Sequence, residues 1–238
     1  MPEAARNPPA TSALAGKRQI KSFVLRQGRL TKGQQRALDM LWPEFGIEPG
    51  DTVLDTPSLF GRDAPITLEI GFGNGHSLAD MALAAPERDF IGIEVHRPGV
   101  GQLLQRIEQD QLTNIRLFCT DAIDVLQQMI PPASIDRVQL FFPDPWPKRK
   151  HHKRRILSSE FLTLIATRLQ RGGLFHMATD WEHYAHSALK ILEQHPDFCN
   201  TAATEFCPRP DWRPLTKFEQ RGHRLEHDVW DLIFQLTG

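Results

Sequence analysis

Cysteine is scarce and unpatterned in this chain. Its three cysteines, Cys119, Cys199 and Cys207, are odd in number and widely scattered. That leaves no disulfide framework and no ligand spacing for a structural zinc ion, so no metal is expected, and reduced thiols in a cytoplasmic protein are. Long apolar runs are missing too. Nothing approaches the roughly 20 residues that a membrane-spanning helix requires, so no membrane partner is expected. Residues 1–16 hold Ala, Pro and polar side chains where a signal peptide would have an apolar centre, and they read as a disordered tail. Nor does one sign of charge dominate, the formal net charge being -1. What remains is an ordinary globular composition, 24% charged and 40% hydrophobic over 238 residues, with enough chain to bury a substantial core. Monomer and homodimer are both left open.

The near-neutral total conceals three basic stretches. Lys17, Arg18, Lys21, Arg26, Arg29 and Lys32 occur with no acid between them, and the run from Lys148 to Arg155 holds six Lys or Arg plus His151 and His152. A third stretch, Arg209 to Arg224, has five positive residues against two acids. Each alone reads as solvated surface. Three in a net-neutral chain point to one basic face, whose natural partner is a polyanion.

Periodicity orders the rest. Thr31 is placed to cap a helix carrying Ala37, Leu38, Leu41 and Trp42 at helical spacing. Then the chain alternates. Strands are predicted at 65–70, 89–95, 115–121, 136–142 and 174–180, and helices at 77–85, 99–109, 160–170 (closed by Gly172-Gly173) and about 182–194. An apolar run, VWDLIFQL, ends the chain at 229–236. Such alternation implies a Rossmann-like, doubly wound α/β fold, a mainly parallel sheet with helices on both faces. The expected organisation is a tail at 1–16, a basic extension with one helix at 17–60, and the α/β domain at 61–238.

Ligands of open α/β sheets bind beyond the carboxyl ends of the strands, and here each end carries something chemical. Strand one runs into Gly71-Phe72-Gly73-Asn74-Gly75, whose glycines allow a tight turn and a close approach to a ligand. A dinucleotide fingerprint needs glycine at 76, where His76 stands. Glu69, inside the strand, would repel a pyrophosphate but suits an ammonium or sulfonium. Glu94 ends strand two, spaced to accept from ribose hydroxyls. Thr120-Asp121 end strand three, where an adenine amine could be received, although strand-end acids also serve as helix caps. Together these favour S-adenosylmethionine over NAD.

Strand four delivers Phe141-Phe142 and then Pro143-Asp144-Pro145-Trp146. The flanking prolines stiffen the backbone around Asp144, so its carboxylate can accept both N1–H and the N2 amine of a guanine while N7 faces a methyl group. Trp146 either stacks on a base or packs. The cations behind it, Lys148 to Arg155, are placed to hold RNA phosphates.

The segments SFVLRQGR (22–29), LEIGFGNG (68–75), IGIEVH (91–96), FFPDPWPKRKHHKRR (141–155), ATDWEHYA (178–185) and TKFEQRGHRL (216–225) together resemble the bacterial tRNA (guanine-N7-)-methyltransferases, from about residue 18 to the C-terminus. The resemblance implies a class I methyltransferase fold and methylation of a guanine in the tRNA variable loop, position 46 in tRNA numbering. It implies S-adenosylmethionine contacts from Glu69, Glu94, Asp121 and Asp144, with Asp144 catalytic. Substrate contacts are implied at Lys148, Asp180, Thr216, Lys217, Phe218 and Glu219, and RNA contacts at Lys150, His151, His152, Lys153, Arg154 and Arg155. Glu226 stands where a small residue such as glycine is expected. From spacing alone, Glu219 either stabilises charge on the methylated purine or pairs with Lys217 or Arg221 at the surface. Two rival readings are an amino methyltransferase related through an Asp-Pro-Pro-Trp corner, and a protein that binds S-adenosylmethionine or RNA without turnover.

Overall fold

The computed structural model describes Phe23 and residues 28–215, 219 and 228–238. Thr31 caps helix α1 (Lys32–Phe45). Its hydroxyl accepts from Gln34 N, and the Gln34 side chain accepts from Thr31 N, a reciprocal arrangement that satisfies two otherwise unmet donors. Ala37 and Leu38 then bury themselves with Leu103 and Leu104 of helix α4 (Arg97–Asp110). At the rim of that contact Arg36 holds Glu108 through two 2.9 Å bonds.

Strands β1 (Ile66–Ile70), β2 (Asp89–Ile93), β3 (Ile115–Phe118), β4 (Ile135–Phe141), β5 (Leu169–Thr179), β6 (Phe198–Asn200) and β7 (Trp230–Leu236) make one sheet in the order β3-β2-β1-β4-β5-β7-β6. Only β7 runs against the others. Every residue of β1 and β2 is buried, as parallel strands covered on both faces must be. Helix α3 (His76–Ala84), α4 and α1 build the core on one face. Helices α5 (Ala122–Gln128), α6 (Ser159–Arg168) and α7 (Glu182–Glu193) build it on the other, with α2 (Thr56–Phe60) at its margin.

The expected mostly parallel sheet is therefore present, with differences that have physical reasons. Gly172-Gly173 do not close α6. They lie inside β5, where the register against β4 jumps from Ile135↔Leu169 to Arg137↔Leu174. A Cβ at Gly173 would fall 2.8 Å from the Gln170 carbonyl, so the glycines serve this bulge. The final apolar run becomes β7, paired between β5 and β6. Helices α2 and α5 and strand β6, of five, seven and three residues, are too short for periodicity to reveal.

Successive strands step outward from β1 through β2 to β3, and then the chain crosses to β4 and β5 on the other side. The order thus reverses between β1 and β4, and a crevice is left above their carboxyl ends. Across this junction Glu69 registers with Gln139, and Gln139 with His176 on β5.

Candidate active site

A cleft opens at that switch point, lined by Gly71, Glu94, Thr120, Asp121, Phe142 and Asp144 among others. Four of the residues singled out as cofactor contacts, Gly71, Glu94, Asp121 and Asp144, thus meet in one place, whereas Glu69, Gly73 and Gly75 are not among its lining. Phe23, assigned no role by sequence reasoning, also lines it.

The glycine loop is held from two sides. Gly71, Gly73 and Gly75 all have positive φ. At Gly75 a Cβ would also fall 2.6 Å from that of Leu103, so glycine is required twice over. Glu94 fastens the loop from below: one carboxylate oxygen accepts from Gly73 N at 2.8 Å, the other from Val95 N at 2.7 Å and His96 N at 2.8 Å. Sequence spacing pointed to Glu94 as a ligand contact; its grip on the loop was not foreseen.

Glu69 lies within β1 and is only 2% exposed. Desolvation, with a smaller contribution from the Glu94 charge, pushes its carboxyl up to about 8. Its Oε2 has no hydrogen-bond partner among the described residues. Asp121 does cap a helix, accepting from Ile123 N at 3.1 Å, and lines the cleft as well.

The Asp144 corner is stiffer than its prolines alone would make it. Phe142 and Trp146, each directly before a proline, adopt φ of 48° and 44°. Bulky residues in such conformations are strained by about 1–3 kcal/mol, and the strain persists only where surroundings enforce it. The enforcing contacts are visible. Phe142 N donates to Ala178 O at 2.8 Å. Arg154 sits 5.0 Å over the Trp146 ring, and His151 meets that ring edge-on. Asp144 itself is exposed.

Behind the corner the basic block winds into a 3-10 helix, Arg149–Arg154. Lys148, Lys150 and Lys153 are exposed, whereas His151, His152 and Arg154 are half-buried. Partial desolvation and the cations Arg154, Lys150, Lys148 and Lys153 hold His151 below the usual histidine range. Arg155 departs from expectation. It is 8% exposed and turns inward, donating to the Pro145 carbonyl at 2.9 Å and lying 4.4 Å over the Tyr184 ring.

On the neighbouring strand, Asp180 is exposed just beyond the end of β5. Thr216, Lys217, Phe218 and Glu226 lie outside the described residues. Glu219 is neither exposed nor held only by neighbours in sequence: it is 3% exposed, with Oε1 2.7 Å from Arg213. Arg213 is itself fully buried and grips Asp231 of β7 with two bonds of 2.7 and 2.8 Å. Its guanidinium stands 6.0 and 5.8 Å from the rings of Phe141 and Phe142. Asp231 also receives His176 Nε2 at 2.7 Å, while Trp212 Nε1 donates to His176 Nδ1 at 3.4 Å. Burial lowers the pKa of His176 despite Asp231, so the ring is neutral with its proton on Nε2. Sequence reasoning read Arg213 as basic surface. The available signal was Asp231, the one charged residue of β7, which demands a partner when buried.

Among the described residues no group of three or more His, Cys, Asp or Glu is arranged to hold a metal ion, and no helix is long and apolar enough to cross a membrane.

Comparison with known proteins agrees with this geometry. The sequence model of a family described as "Putative methyltransferase" matches residues 63–232. The chain is 57% identical over 219 residues to a tRNA (guanine-N(7)-)-methyltransferase of Alcanivorax borkumensis, covering 92% of each protein. It is 56% identical over 227 residues to one of Hydrogenovibrio crunogenus, covering 95% of each. In fold it is similar to the 16S rRNA methyltransferase KamB, with TM-score 0.55 at 16% identity over 78% of this chain and 95% of that one. An rRNA methylase from Streptococcus thermophilus gives TM-score 0.51 at 14% identity, over 74% and 89%. The glycine loop, the acids at the strand ends and the Pro-Asp-Pro-Trp corner therefore sit on a class I methyltransferase fold, and the chain belongs to the tRNA (guanine-N(7)-)-methyltransferase family.

Proposed function

We propose that this protein transfers a methyl group from S-adenosylmethionine to N7 of guanine 46 in the tRNA variable loop, and does so in the cytoplasm. The observation that carries this reading is the cleft in which Asp144 meets Gly71, Glu94 and Asp121, with Glu69 buried in β1 directly before Ile70, which lines it, and its Oε2 unmet among the described residues. An S-adenosyl donor fits these residues. Glu69 offers an acceptor to its ammonium, Glu94 retains lone pairs for ribose hydroxyls, and Asp121 faces the adenine side. The glycines Gly71, Gly73 and Gly75 leave the backbone open to it. When bound, the donor supplies an electrophilic methyl on a sulfonium.

The remaining work falls to the chain. Asp144 orients the guanine by accepting its N1–H and N2 amine. N7 carries an in-plane lone pair and no proton, so no general base is required. Methylation leaves the purine positively charged, and Asp144 and Asp180, exposed at the ends of adjacent strands, lower the energy of that developing charge. Lys148 and the segment Thr216 to Glu219 meet the substrate; the Arg213 ion pair holds Glu219 in place for this. Lys150, His151, His152, Lys153 and Arg154 face the RNA backbone. Arg155 supports them from within. The basic extension at 17–60 adds its cations to the hold on the same RNA.

Incubation with unmodified tRNA and S-adenosylmethionine, followed by mapping of the altered nucleotide, tests the reading. The expected product is 7-methylguanosine at position 46. Methylation at guanine N1 or on an exocyclic amine, or tight binding without transfer, would overturn it.

A further inference from the structure

Trp181 breaks two local rules at once. It is the N-cap of α7, a position that favours Ser, Thr, Asp or Asn, and its side chain makes no capping bond. Its ring is also 41% exposed, although so large an apolar surface gains by burial. Only the backbone of Trp181 is engaged: its N–H donates to Thr179 Oγ1 at 3.2 Å, and its carbonyl accepts from Tyr184 N at 2.8 Å and Ala185 N at 2.9 Å. Other tryptophans are held. Trp212 is about as exposed, at 39%, but its ring carries Arg137 at 4.4 Å and its Nε1 donates to His176. Trp146 lies under Arg154. The Trp181 ring has no hydrogen bond, ring contact or cation contact among the described residues. A residue that defies local preference without a compensating contact is the kind that functional sites retain.

Its position indicates what meets that ring. Phe141 of β4 and Ala178 of β5 are register partners, and Asp144 and Trp181 each stand three residues further on. Both therefore lie at the carboxyl edge of the sheet, one strand apart, with Trp181 outside the lining of the cleft. The first turn of α7 also abuts the basic block. Arg155 reaches His183 Nδ1 at 3.3 Å, and the His152 ring lies 5.2 Å from that of His183. Trp181 is thus one strand from the Asp144 corner and two residues from the contact with the block. Its neighbours Asp180 and Glu182 are exposed acids, which repel a phosphate. What the ring can receive beside them is a flat, uncharged group such as a nucleobase. The phosphates around that base fall to the exposed Lys148, Lys150 and Lys153.

We propose that Trp181 is a stacking platform for a nucleobase directly flanking the target guanine, outside the cleft that Asp144 lines. Holding the flanking base there parts it from the guanine, which is then free to turn toward Asp144. The platform accepts any base, since each has a π face. The inference rests on the tRNA methylation reading and adds a substrate contact to it. The competing account is that Trp181 touches no RNA and serves only the start of α7.

A cycle that pairs Trp181→Ala with abasic sites in the RNA separates the two. The probes are unmodified tRNA and the same tRNA lacking one base, immediately 5′ of guanine 46, immediately 3′ of it, or at position 46 itself. Trp181→Ala should bind intact tRNA at least about fivefold more weakly, the loss expected for one base–aromatic stack, and Trp181→Phe should restore most of it. In the unaltered protein an abasic site on one flank should cost a similar factor, and that cost should vanish in Trp181→Ala. The cost of an abasic site at 46 should persist. Exchanging the flanking base for another should change little. Trp181→Leu, apolar and bulky but without a π face, repeats the measurement should Ala disturb α7, and is expected to behave as Ala does. Flank costs that are the same with and without Trp181, or a cycle that closes on position 46 instead, overturn the proposal. If the unaltered protein methylates no guanine of this tRNA, the functional reading itself fails, a result distinct from these.

Discussion

Arg155 donates from Nε to the carbonyl oxygen of Pro145, 2.9 Å away, and so ties the end of the basic block to the corner that presents Asp144. The same guanidinium reaches His183 Nδ1 at 3.3 Å and packs over Tyr184 of α7. One charged side chain thereby braces three segments around the cleft. It is the only cation of the block's six that is buried, and that difference in environment divides the block into two tasks.

Replacing Lys150 and Lys153 with Ala is expected to weaken tRNA binding and flatten its salt dependence. The log–log slope should shrink by up to about 0.9 for each phosphate no longer neutralised. Arg155→Ala should leave that slope almost unaltered while lowering the single-turnover rate and the melting temperature. Binding titrations across salt concentrations, paired with single-turnover assays, check both. A salt slope that falls equally in both variants would return Arg155 to the RNA-facing set.

Glu69 gives cofactor binding a pH dependence of definite sign. Its carboxyl, raised from 4.5 to about 8, holds a proton at neutral pH in the ligand-free protein. An ammonium ligand requires the ionised form, so binding releases a proton, and affinity climbs with pH until it flattens near 8. Calorimetry in buffers of different ionisation enthalpy should record this proton release near neutral pH. Glu69→Gln should abolish the release and weaken binding throughout.

Glu94→Ala should cost more than the ribose contacts alone. Three backbone N–H groups lose their acceptor, and Gly73 loses its anchor. Hydrogen bonds to a charged group contribute about 1.5–3 kcal/mol each, so affinity for S-adenosylmethionine should fall by at least about tenfold, with a lower melting temperature. Affinity for tRNA should stay nearly intact. An unchanged cofactor affinity would remove Glu94 from the site.

Asp144 is expected to orient and stabilise charge without removing a proton. Single-turnover rates should hold a plateau through neutrality, because N7 carries no proton for a base to remove. Asp144→Asn offers one acceptor and turns an NH₂ toward the guanine donors, so the chemical step should slow by about a hundredfold or more. A rate that climbs with pH across the whole range would point to proton abstraction.

Local patterns carried much of this molecule. Alternation and helical spacing placed β1 to β5 and the longer helices, because burying one face imposes a period on neighbouring residues. The glycine loop, Glu94 and the Pro-Asp-Pro-Trp corner were legible because their chemistry is packed into a few consecutive positions. The Thr31 cap was legible for the same reason. Contacts between distant positions were not. Arg213 meets Asp231 18 residues on, Arg88 meets Asp136 48 residues on, and Gln139 lies beside Glu69 only through strand register. Nothing near Arg155 in the sequence distinguishes it from Arg154, yet one is buried against Tyr184 and the other lies over Trp146. Burial and register are properties of the assembled sheet. The sequence by itself determined which chemical groups stand at each strand end, and the tertiary structure decided which of them are desolvated, which are paired and which keep unmet polar atoms.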